Sequence, residues 1–270
     1  CNEGATRMMS PNGSIAADVV ESEENSTVAL HVSYVRSNGS EVRAIDFSSL
    51  GLAIGTDSAS AFHLAGFSQQ PSEKIDYTMP SGKRLHCTNE ANSYQLALED
   101  ADGKRLIVEV KLFNDGIAFR YISLNLEPCT VGPETTVFEV PDGQNRWIAE
   151  WDWNQAYERI FPRSSRAEAK HYQFPALIQP GDDCFVLVTE ASISKSNAAS
   201  SIYGKEGTNS IYLIKADENK GSYEYYTSPW RVAIIGSLAS IVESTLVTDL
   251  APDNAIGDCS WVKPGTVSWI

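Results

Sequence analysis

Apolar and polar residues alternate with a period of two along most of this 270-residue chain. The run from Val28 to Tyr34 has an apolar side chain at every second position, and the runs from Tyr94 to Leu98 and from Leu106 to Leu112 do the same. Such alternation is typical of β-strands with one buried face, because successive side chains of a strand point to opposite sides. The chain is therefore predicted to be an all-β protein.

Short turn sequences separate the predicted strands. Asn38-Gly39, Asp100 to Gly103 and Asn114 to Gly116 each lie between two alternating runs, a pattern that predicts hairpins and a β-meander. About a dozen such strands, without an internal repeat or a long linker, predict one large antiparallel β-sandwich of the super-sandwich type. We assign this domain to residues 10–270 and a tether to residues 1–9.

Three segments carry less regular patterns. A strand rich in aromatic residues is predicted to carry Trp147, Trp151 and Trp153. A late strand is predicted from Ile241 to Leu246, and a short helical turn between residues 164 and 172.

The composition excludes several classes of protein. A formal net charge of -14 would repel nucleic-acid phosphates. The hydrophobic content of 42% is high enough to build a large core, which excludes general disorder. No stretch approaches the roughly eighteen apolar residues of a membrane-spanning helix.

Five cysteines are widely spaced and form no C-x-x-C pair, which excludes a zinc knuckle and a thioredoxin motif. Cys87, Cys129, Cys184 and Cys259 are interpreted as buried thiols rather than as disulfides. Cys1 has two interpretations: the lipid-carrying first residue of a processed bacterial lipoprotein, or a boundary that falls there. The lipoprotein interpretation predicts a periplasmic or outer-membrane-anchored protein.

The sequence lacks the common signatures of catalysis. It contains no G-x-S-x-G, no H-E-x-x-H and no glycine-rich phosphate loop. The segment from Asp100 to Gly103 is similar to a calcium loop, but it lacks the downstream glutamate and lies where a hairpin needs a turn, so it is predicted to be a turn. No complete active site is therefore expected, and no catalytic residue is assigned.

Two features are candidates for a binding role. Trp151 and Trp153 would share one face of the predicted strand and form a shelf for a sugar ring, or fill the core between two sheets. Glu190 ends an apolar strand, where it either faces water or needs a cationic partner such as a metal ion or a basic group.

The order of several segments resembles the N-terminal domain of glycoside hydrolase family 97. The resemblance covers most of the chain and rests on these segments: Ser10-Pro11-Asn12-Gly13, Leu50-Gly51-Leu52, Pro80-Ser81-Gly82-Lys83-Arg84, Asn114-Asp115-Gly116-Ile117-Ala118-Phe119-Arg120-Tyr121, Tyr157-Glu158, Thr189-Glu190-Ala191, Ser228-Pro229-Trp230-Arg231, Glu243-Ser244-Thr245-Leu246 and Asp258-Cys259-Ser260-Trp261-Val262-Lys263-Pro264-Gly265.

The resemblance implies a three-part enzyme with this β-sandwich, a (β/α)₈ catalytic barrel of the same polypeptide and a C-terminal β-domain. It implies calcium-dependent hydrolysis of α-glucosides or α-galactosides, with the acid and the base or nucleophile beyond Ile270. By position Glu190 resembles the glutamate that the family's N-terminal domain lends to the calcium site. Glu158 and Arg231 are candidates for substrate contact near the domain junction, or else members of surface ion pairs. One glutamate is too few for tight calcium binding, so this part alone is expected to bind calcium poorly and to cleave nothing.

A second function stays open. The chain would then be a free-standing carbohydrate-binding or scaffold lipoprotein that binds an oligo- or disaccharide on Trp151 and Trp153. An accessory domain predicts an exposed apolar face for the barrel, whereas a binding module predicts a self-contained surface with measurable sugar affinity.

Overall fold

The computed structural model describes residues 6–22, 26–55, 61–79, 81–141, 143–154, 158–166, 168–194, 199–205, 208, 211–215 and 222–268. In chain order its strands are β1 (Thr6–Met9), β2 (Ile15–Ser22), β3 (Thr27–Val35), β4 (Glu41–Ser48), β5 (Leu52–Ile54), β6 (Phe62–Thr78), β7 (His86–Asp100), β8 (Arg105–Phe113), β9 (Gly116–Glu134), β10 (Val137–Glu139), β11 (Asn145–Trp147), β12 (Arg163–Ser164), β13 (His171–Tyr172), β14 (Ala176–Gly181), β15 (Cys184–Ala191), β16 (Ser201–Gly204), β17 (Ile211–Lys215), β18 (Ser222–Thr227) and β19 (Trp230–Gly236). The helices are α1 (Leu238–Glu243) and α2 (Leu246–Asp249).

Within these ranges the strands form two antiparallel sheets that face each other. One sheet has eight strands in the order β1-β2-β3-β4-β10-β17-β16-β13. The other has eleven, nine of them in the order β12-β11-β14-β15-β19-β9-β8-β7-β6, with β5 and β18 paired to β9. Phe47 of the first sheet and Phe119 of the second meet edge to face, with ring centroids 5.0 Å apart. The predicted β-sandwich is confirmed.

The alternating runs of the sequence supply the core between the sheets. Val28, Leu30 and Val32 on β3 have no exposed surface, and the same holds for Leu106 and Val108 on β8. Complete burial of one such side chain contributes about 1.5–3 kcal/mol to stability. The predicted meander corresponds to β7, β8 and β9, and its two connections are the predicted turns.

Strand β19 is buried on both faces because a second apolar layer covers part of the outer face of its sheet. Ala233 and Ile235 belong to the core between the sheets. Val232 and Ile234 belong to a separate cluster with Ile241 of helix α1. The two short helices thus cover the centre of the eleven-stranded sheet.

The predicted strand from Ile241 to Leu246 is wrong, because this segment is the end of α1, the two cap residues Ser244 and Thr245, and the start of α2. Ser237 begins α1 as its N-cap: its side-chain oxygen accepts a hydrogen bond from the backbone N–H of Ser240 at 3.2 Å. The predicted helical turn between residues 164 and 172 is also wrong. Its ends belong to β12 and β13, and none of the described residues between them is helical.

The predicted aromatic strand ends early, at Trp147. Trp151 and Trp153 lie beyond the strand, where the chain leaves the eleven-stranded sheet and meets β13 of the other sheet. The backbone N–H of Trp151 donates to the carbonyl of His171 at 2.9 Å, and Glu150 forms a bridge with Tyr172. Trp151 is therefore held by a backbone hydrogen bond to β13 rather than by continuation of its own strand.

The N-terminal boundary also differs from the prediction. Thr6–Met9 form β1, which pairs with β2, and Met8 is fully buried. These four residues are part of the sheet rather than of a tether, while residues 1–5, including Cys1, lie outside the described residues.

The cysteine prediction is confirmed for Cys87 and Cys184, which are buried free thiols, whereas the free thiol of Cys259 is only half-buried. The side chain of Cys129 lies outside the described set. No helix in the described ranges has the length and apolar character needed to cross a bilayer.

Strand β6 lies at one edge of the eleven-stranded sheet and pairs with β7 over almost its whole length. Its register shifts twice, between Leu64 and Gly66 and between Gln70 and Glu73. Each shift is a bulge, where extra residues on one strand bend and twist the ladder.

Candidate functional site

Glu190 and Arg231 are directly opposite each other on two neighbouring central strands. They are register partners in the pairing of β15 with β19. The Nη1 atom of Arg231 donates to Oε2 of Glu190 at 2.7 Å, and the two side chains are 1% and 7% exposed. The partner expected for Glu190 is therefore a buried arginine of its own domain.

Glu134, at the end of β9, is the second partner of Arg231. The Nη2 atom of Arg231 donates to Oε2 of Glu134 at 2.7 Å, and its Nε atom lies 3.2 Å and 3.1 Å from the two carboxylate oxygens. The Glu134 side chain is 1% exposed. We call Glu134, Glu190 and Arg231 the buried charge cluster.

The cluster has one more negative than positive charge when all three groups are ionised. Burial raises the pKa of the Glu190 carboxyl, because Arg231 offsets the loss of solvent only in part. Burial lowers and the Glu134 carboxylate raises the pKa of the Arg231 guanidinium, with a net upward shift that keeps it charged.

The donor set fits a calcium ligand only in part. Carboxylate oxygens are the ligands that calcium prefers, and an under-compensated buried carboxylate gains from a nearby cation. Calcium takes six to eight oxygens, however, and the described residues contain no group of three or more His, Cys, Asp or Glu side chains placed to hold a metal. Glu190 is therefore suited to be one ligand of a site completed by other residues.

Of the other predicted site residues, Arg231 belongs to this cluster, whereas Glu158 and the two tryptophans lie elsewhere in the structure. Arg231 contacts two carboxylates in the interior rather than the surface, where a substrate would meet it. Glu158 is exposed and lies outside the strands and helices. Sequence reasoning missed Glu134, which ends β9 in a segment of mixed polar and apolar residues.

Trp151 and Trp153 form an aromatic group with His171 and Tyr203. Trp151 stacks on the His171 ring with centroids 4.6 Å apart, and Tyr203 stacks on the other side of His171 at 4.1 Å. Trp153 meets Trp151 edge to face at 6.2 Å and is 76% exposed. Trp153 therefore presents an open aromatic surface, while one face of Trp151 is covered.

Several of the segments that carry the family resemblance meet at one end of the sandwich. Nζ of Lys83 donates to the carbonyls of Val242 and Ser244 at the end of α1, at 2.5 Å and 2.7 Å. The hydroxyl of Ser244 donates to Asp115 at 2.7 Å, and Asn114 accepts from the backbone N–H of Asn12 at 2.9 Å. These segments therefore hold the helical region against the sheet, which is a structural role.

The outer face of the eleven-stranded sheet carries an uncovered apolar surface beside the helices. A cavity of about 270 Å³ there is lined by Trp147, Phe161, Pro175, Leu177 and Leu187. We call this surface and the second cavity that adjoins it at Leu187 the outer apolar face.

A second cavity of about 300 Å³ extends the same surface toward the helices. It shares Leu187 with the first, and its other apolar lining includes Met79, Ile234, Ile241 and Val247. Leu238 and Val242 of α1 are exposed close to it in the chain. A continuous apolar surface of this kind marks a site of interaction with another protein or domain.

Residues 8–252 match the sequence model of a family described as "Glycosyl-hydrolase 97 N-terminal". The probable retaining alpha-galactosidase of Streptomyces bingchenggensis is 28% identical over 169 residues, which are 62% of this chain and 26% of that protein. The retaining alpha-galactosidase of Bacteroides thetaiotaomicron is 22% identical over 97% of this chain and 43% of its own length. The chain spans less than half the length of these curated relatives.

Solved structures show the same fold. A glycoside hydrolase family 97 enzyme from Pseudoalteromonas sp. strain K8, in complex with acarbose, has a TM-score of 0.79 and 22% identity over 96% of this chain and 40% of that enzyme. The crystal structure of a beta-arabinopyranosidase has a TM-score of 0.75 and 22% identity over 90% of this chain and 42% of that protein.

Proposed function

Because the chain belongs to the glycosyl-hydrolase 97 N-terminal family, we propose that it is the accessory domain of a calcium-dependent glycoside hydrolase acting on α-glucosides or α-galactosides. In this proposal the domain packs on a (β/α)₈ catalytic barrel of the same polypeptide and lends Glu190 to the calcium site. It has no complete active site and is inactive alone. The protein is periplasmic or anchored to the outer membrane, by a lipid if Cys1 is lipidated.

The observation that carries this proposal is the outer apolar face. Leu187 lies at its centre, on the same strand as Glu190 and three residues before it. Glu190 is an odd number of positions from Leu187, so its side chain points to the opposite face of the sheet, toward the core between the sheets. A barrel that docks on the outer apolar face would reach Glu190 only around the end of β15.

The chemistry of hydrolysis belongs to two carboxyl groups of the barrel, one that protonates the leaving oxygen and one that activates water or attacks the sugar. Calcium held by Glu190 and by residues of the barrel would supply a fixed positive charge for the chemistry of hydrolysis. The part played by this chain is to hold the Glu190 carboxylate in place and to exclude water around it. Arg231 and the backbone N–H of Ser200, which donates to Oε1 of Glu190 at 2.8 Å, fix the carboxylate.

Both substrate classes have support among the relatives. The two curated relatives are named as retaining alpha-galactosidases. The Pseudoalteromonas enzyme was solved with acarbose and, as a variant, with panose. The complete protein should therefore be assayed on both α-galactosides and α-glucosides.

The first test is the calcium dependence of the complete protein. We expect hydrolysis of one of these substrate classes, loss of activity with a chelator and recovery with added calcium. Glu190→Gln keeps the shape of the side chain but removes its charge, so it should raise the calcium concentration needed for half-maximal activity. If this variant keeps wild-type calcium dependence, the assignment of Glu190 is wrong.

The second test concerns docking. Leu187→Gln should lower the thermal midpoint of the complete protein far more than that of the isolated 270-residue chain, because only the complete protein buries this side chain against the barrel. Val20→Gln is the matched control. Val20 is half-buried, alternates with the buried Val19 and lies on the outer face of the other sheet, so its effect should be equal in both proteins. Equal effects of Leu187→Gln in both proteins would contradict docking at this face.

The alternative function is a free-standing carbohydrate-binding or scaffold lipoprotein. The open ring of Trp153 beside Trp151 favours it, because an exposed aromatic face stacks on sugar rings. Calorimetry of the 270-residue chain with maltose and with melibiose separates the two functions. Micromolar affinity, lost on Trp153→Ala, would replace the accessory-domain proposal with this one.

A further inference from the structure

We propose that Arg231 is a positioning residue for Glu190: anchored by Glu134, it fixes the direction of the Glu190 carboxylate without touching substrate. The proposal rests on the function proposed above, in which Glu190 is a calcium ligand. It assigns roles in metal binding to Arg231 and to Glu134, neither of which would contact the ion.

The geometry of the guanidinium supports this role. Nε and Nη2 of Arg231 are both used by Glu134, which holds the planar group in one orientation. Only Nη1 is left to meet Glu190, at 2.7 Å. The other oxygen of Glu190 accepts from the backbone N–H of Ser200 at 2.8 Å. Both carboxylate oxygens are thus fixed, and each retains a further lone-pair direction for a cation.

The charges support the same role. Arg231 alone beside Glu190 would neutralise it and compete with a cation. Glu134 compensates the arginine, so the cluster keeps one net negative charge that a calcium ion can meet. Glu134 therefore makes Arg231 able to orient Glu190 without cancelling its charge.

A purely structural ion pair would not need the third group. Arg231 and Glu134 already satisfy each other at 2.7 Å, with both side chains 1% exposed. A second carboxylate in the same buried place adds a desolvation cost. The presence of Glu190 beside this pair, 2.7 Å from Nη1 of Arg231, is explained when a cation completes the cluster.

The test measures the calcium dissociation constant of the complete protein, by calorimetric titration of the calcium-stripped enzyme with calcium alone. The variants are Glu134→Gln, Arg231→Lys and Glu190→Gln. Glu109→Gln is the control, because Glu109 forms a 2.7 Å ion pair with Arg120 in the same sheet and has no hydrogen bond to the cluster. Thermal midpoints with and without calcium are recorded in parallel.

We expect Glu134→Gln and Arg231→Lys each to weaken calcium binding by roughly 10–100-fold, the usual effect of losing a residue that orients a metal ligand. Lysine keeps the charge but lacks the fork that spans two carboxylates. Glu109→Gln should leave the dissociation constant unchanged. Arg231→Lys provides the test if Glu134→Gln does not fold.

Three outcomes overturn the proposal, and they are distinguishable. If Glu190→Gln weakens calcium binding while Glu134→Gln and Arg231→Lys do not, the positioning role fails and the proposed function stands. If the two variants lower the thermal midpoint by the same amount with and without calcium, their role is structural only. If Glu190→Gln itself leaves the dissociation constant unchanged, the calcium assignment and the positioning role fail together.

Discussion

Removal of the arginine from the buried charge cluster should be one of the most destabilising single substitutions in this fold. Arg231→Met keeps an unbranched apolar stem but removes the guanidinium, which leaves the carboxylates of Glu134 and Glu190 in the interior without their cation. Breaking a buried ion pair by removing one partner costs about 3–5 kcal/mol. We expect a loss in that range from the free energy of unfolding at pH 7.

The loss should depend on pH in a defined direction. Burial already raises the pKa of Glu190 with Arg231 present, and without Arg231 the folded-state pKa rises further. A carboxyl group with a raised folded-state pKa favours the folded state below its unfolded pKa, about 4.3, and this contribution is lost as the pH rises through the folded pKa. The difference in the free energy of unfolding between wild type and Arg231→Met should therefore be smallest near pH 4 and grow toward pH 7.

Urea unfolding of the 270-residue chain, followed by tryptophan fluorescence at several pH values, measures this difference. Arg105→Met is the control, because Arg105 forms a 2.8 Å ion pair with Glu99 while its side chain is 75% exposed. Such an exposed pair contributes about 0–1 kcal/mol. The triple variant Glu134→Leu, Glu190→Gln, Arg231→Met should recover most of the loss, since no unpaired charge remains. A loss below about 1 kcal/mol for Arg231→Met alone, or no recovery in the triple variant, would refute the reasoning.

Three smaller perturbations follow from other contacts. Gly116→Ala should lower the free energy of unfolding, measured with urea, by about 1–3 kcal/mol, because the added Cβ would lie 2.3 Å from a backbone carbonyl oxygen of β19. Gly265→Ala is the control and should leave it unchanged, because open space surrounds this position. Lys83→Met removes two hydrogen bonds to the end of α1, worth about 0.5–1.5 kcal/mol each, and should speed amide hydrogen exchange in α1 and α2 but not in β3. Burial raises the pKa of the Cys184 thiol to about 12, so alkylation at pH 8, followed by mass spectrometry, should leave Cys184 unmodified until the chain unfolds, and early labelling would show local opening.

The fold class was predictable because alternation reports directly on half-buried strands. The runs around Leu30, Leu96 and Val108 each place buried residues at every second position. The error at Ile241 to Leu246 has a physical reason, since a helix shorter than two turns shows no period of its own. The one signal was Gly236-Ser237, a break in the strand followed by an N-cap residue.

The candidate site was only half predictable. Glu190 stood out as a charge at the end of an apolar strand, but Arg231 is 41 positions away and Glu134 is 56 positions away in the chain, and sheet order decides which strands lie beside β15. Arg231 offered a usable signal, because it is a charged residue in an otherwise apolar strand that is buried on both faces. A charge in such a strand must be paired. Glu134 offered none, since β9 pairs with several strands along its length.

The edge position of strand β6 bears on whether copies of this protein can associate through their sheets. An edge strand of 17 residues would be a template for pairing with another chain, and in a straight strand such an edge promotes aggregation. The two bulges divide β6 into short segments, of which Glu73–Thr78 is the longest in continuous register with β7. Pro71, between the segments, has no N–H to donate. The edge therefore offers no long regular ladder with which a second copy could pair, so the sheet can end in solvent without promoting fibre formation.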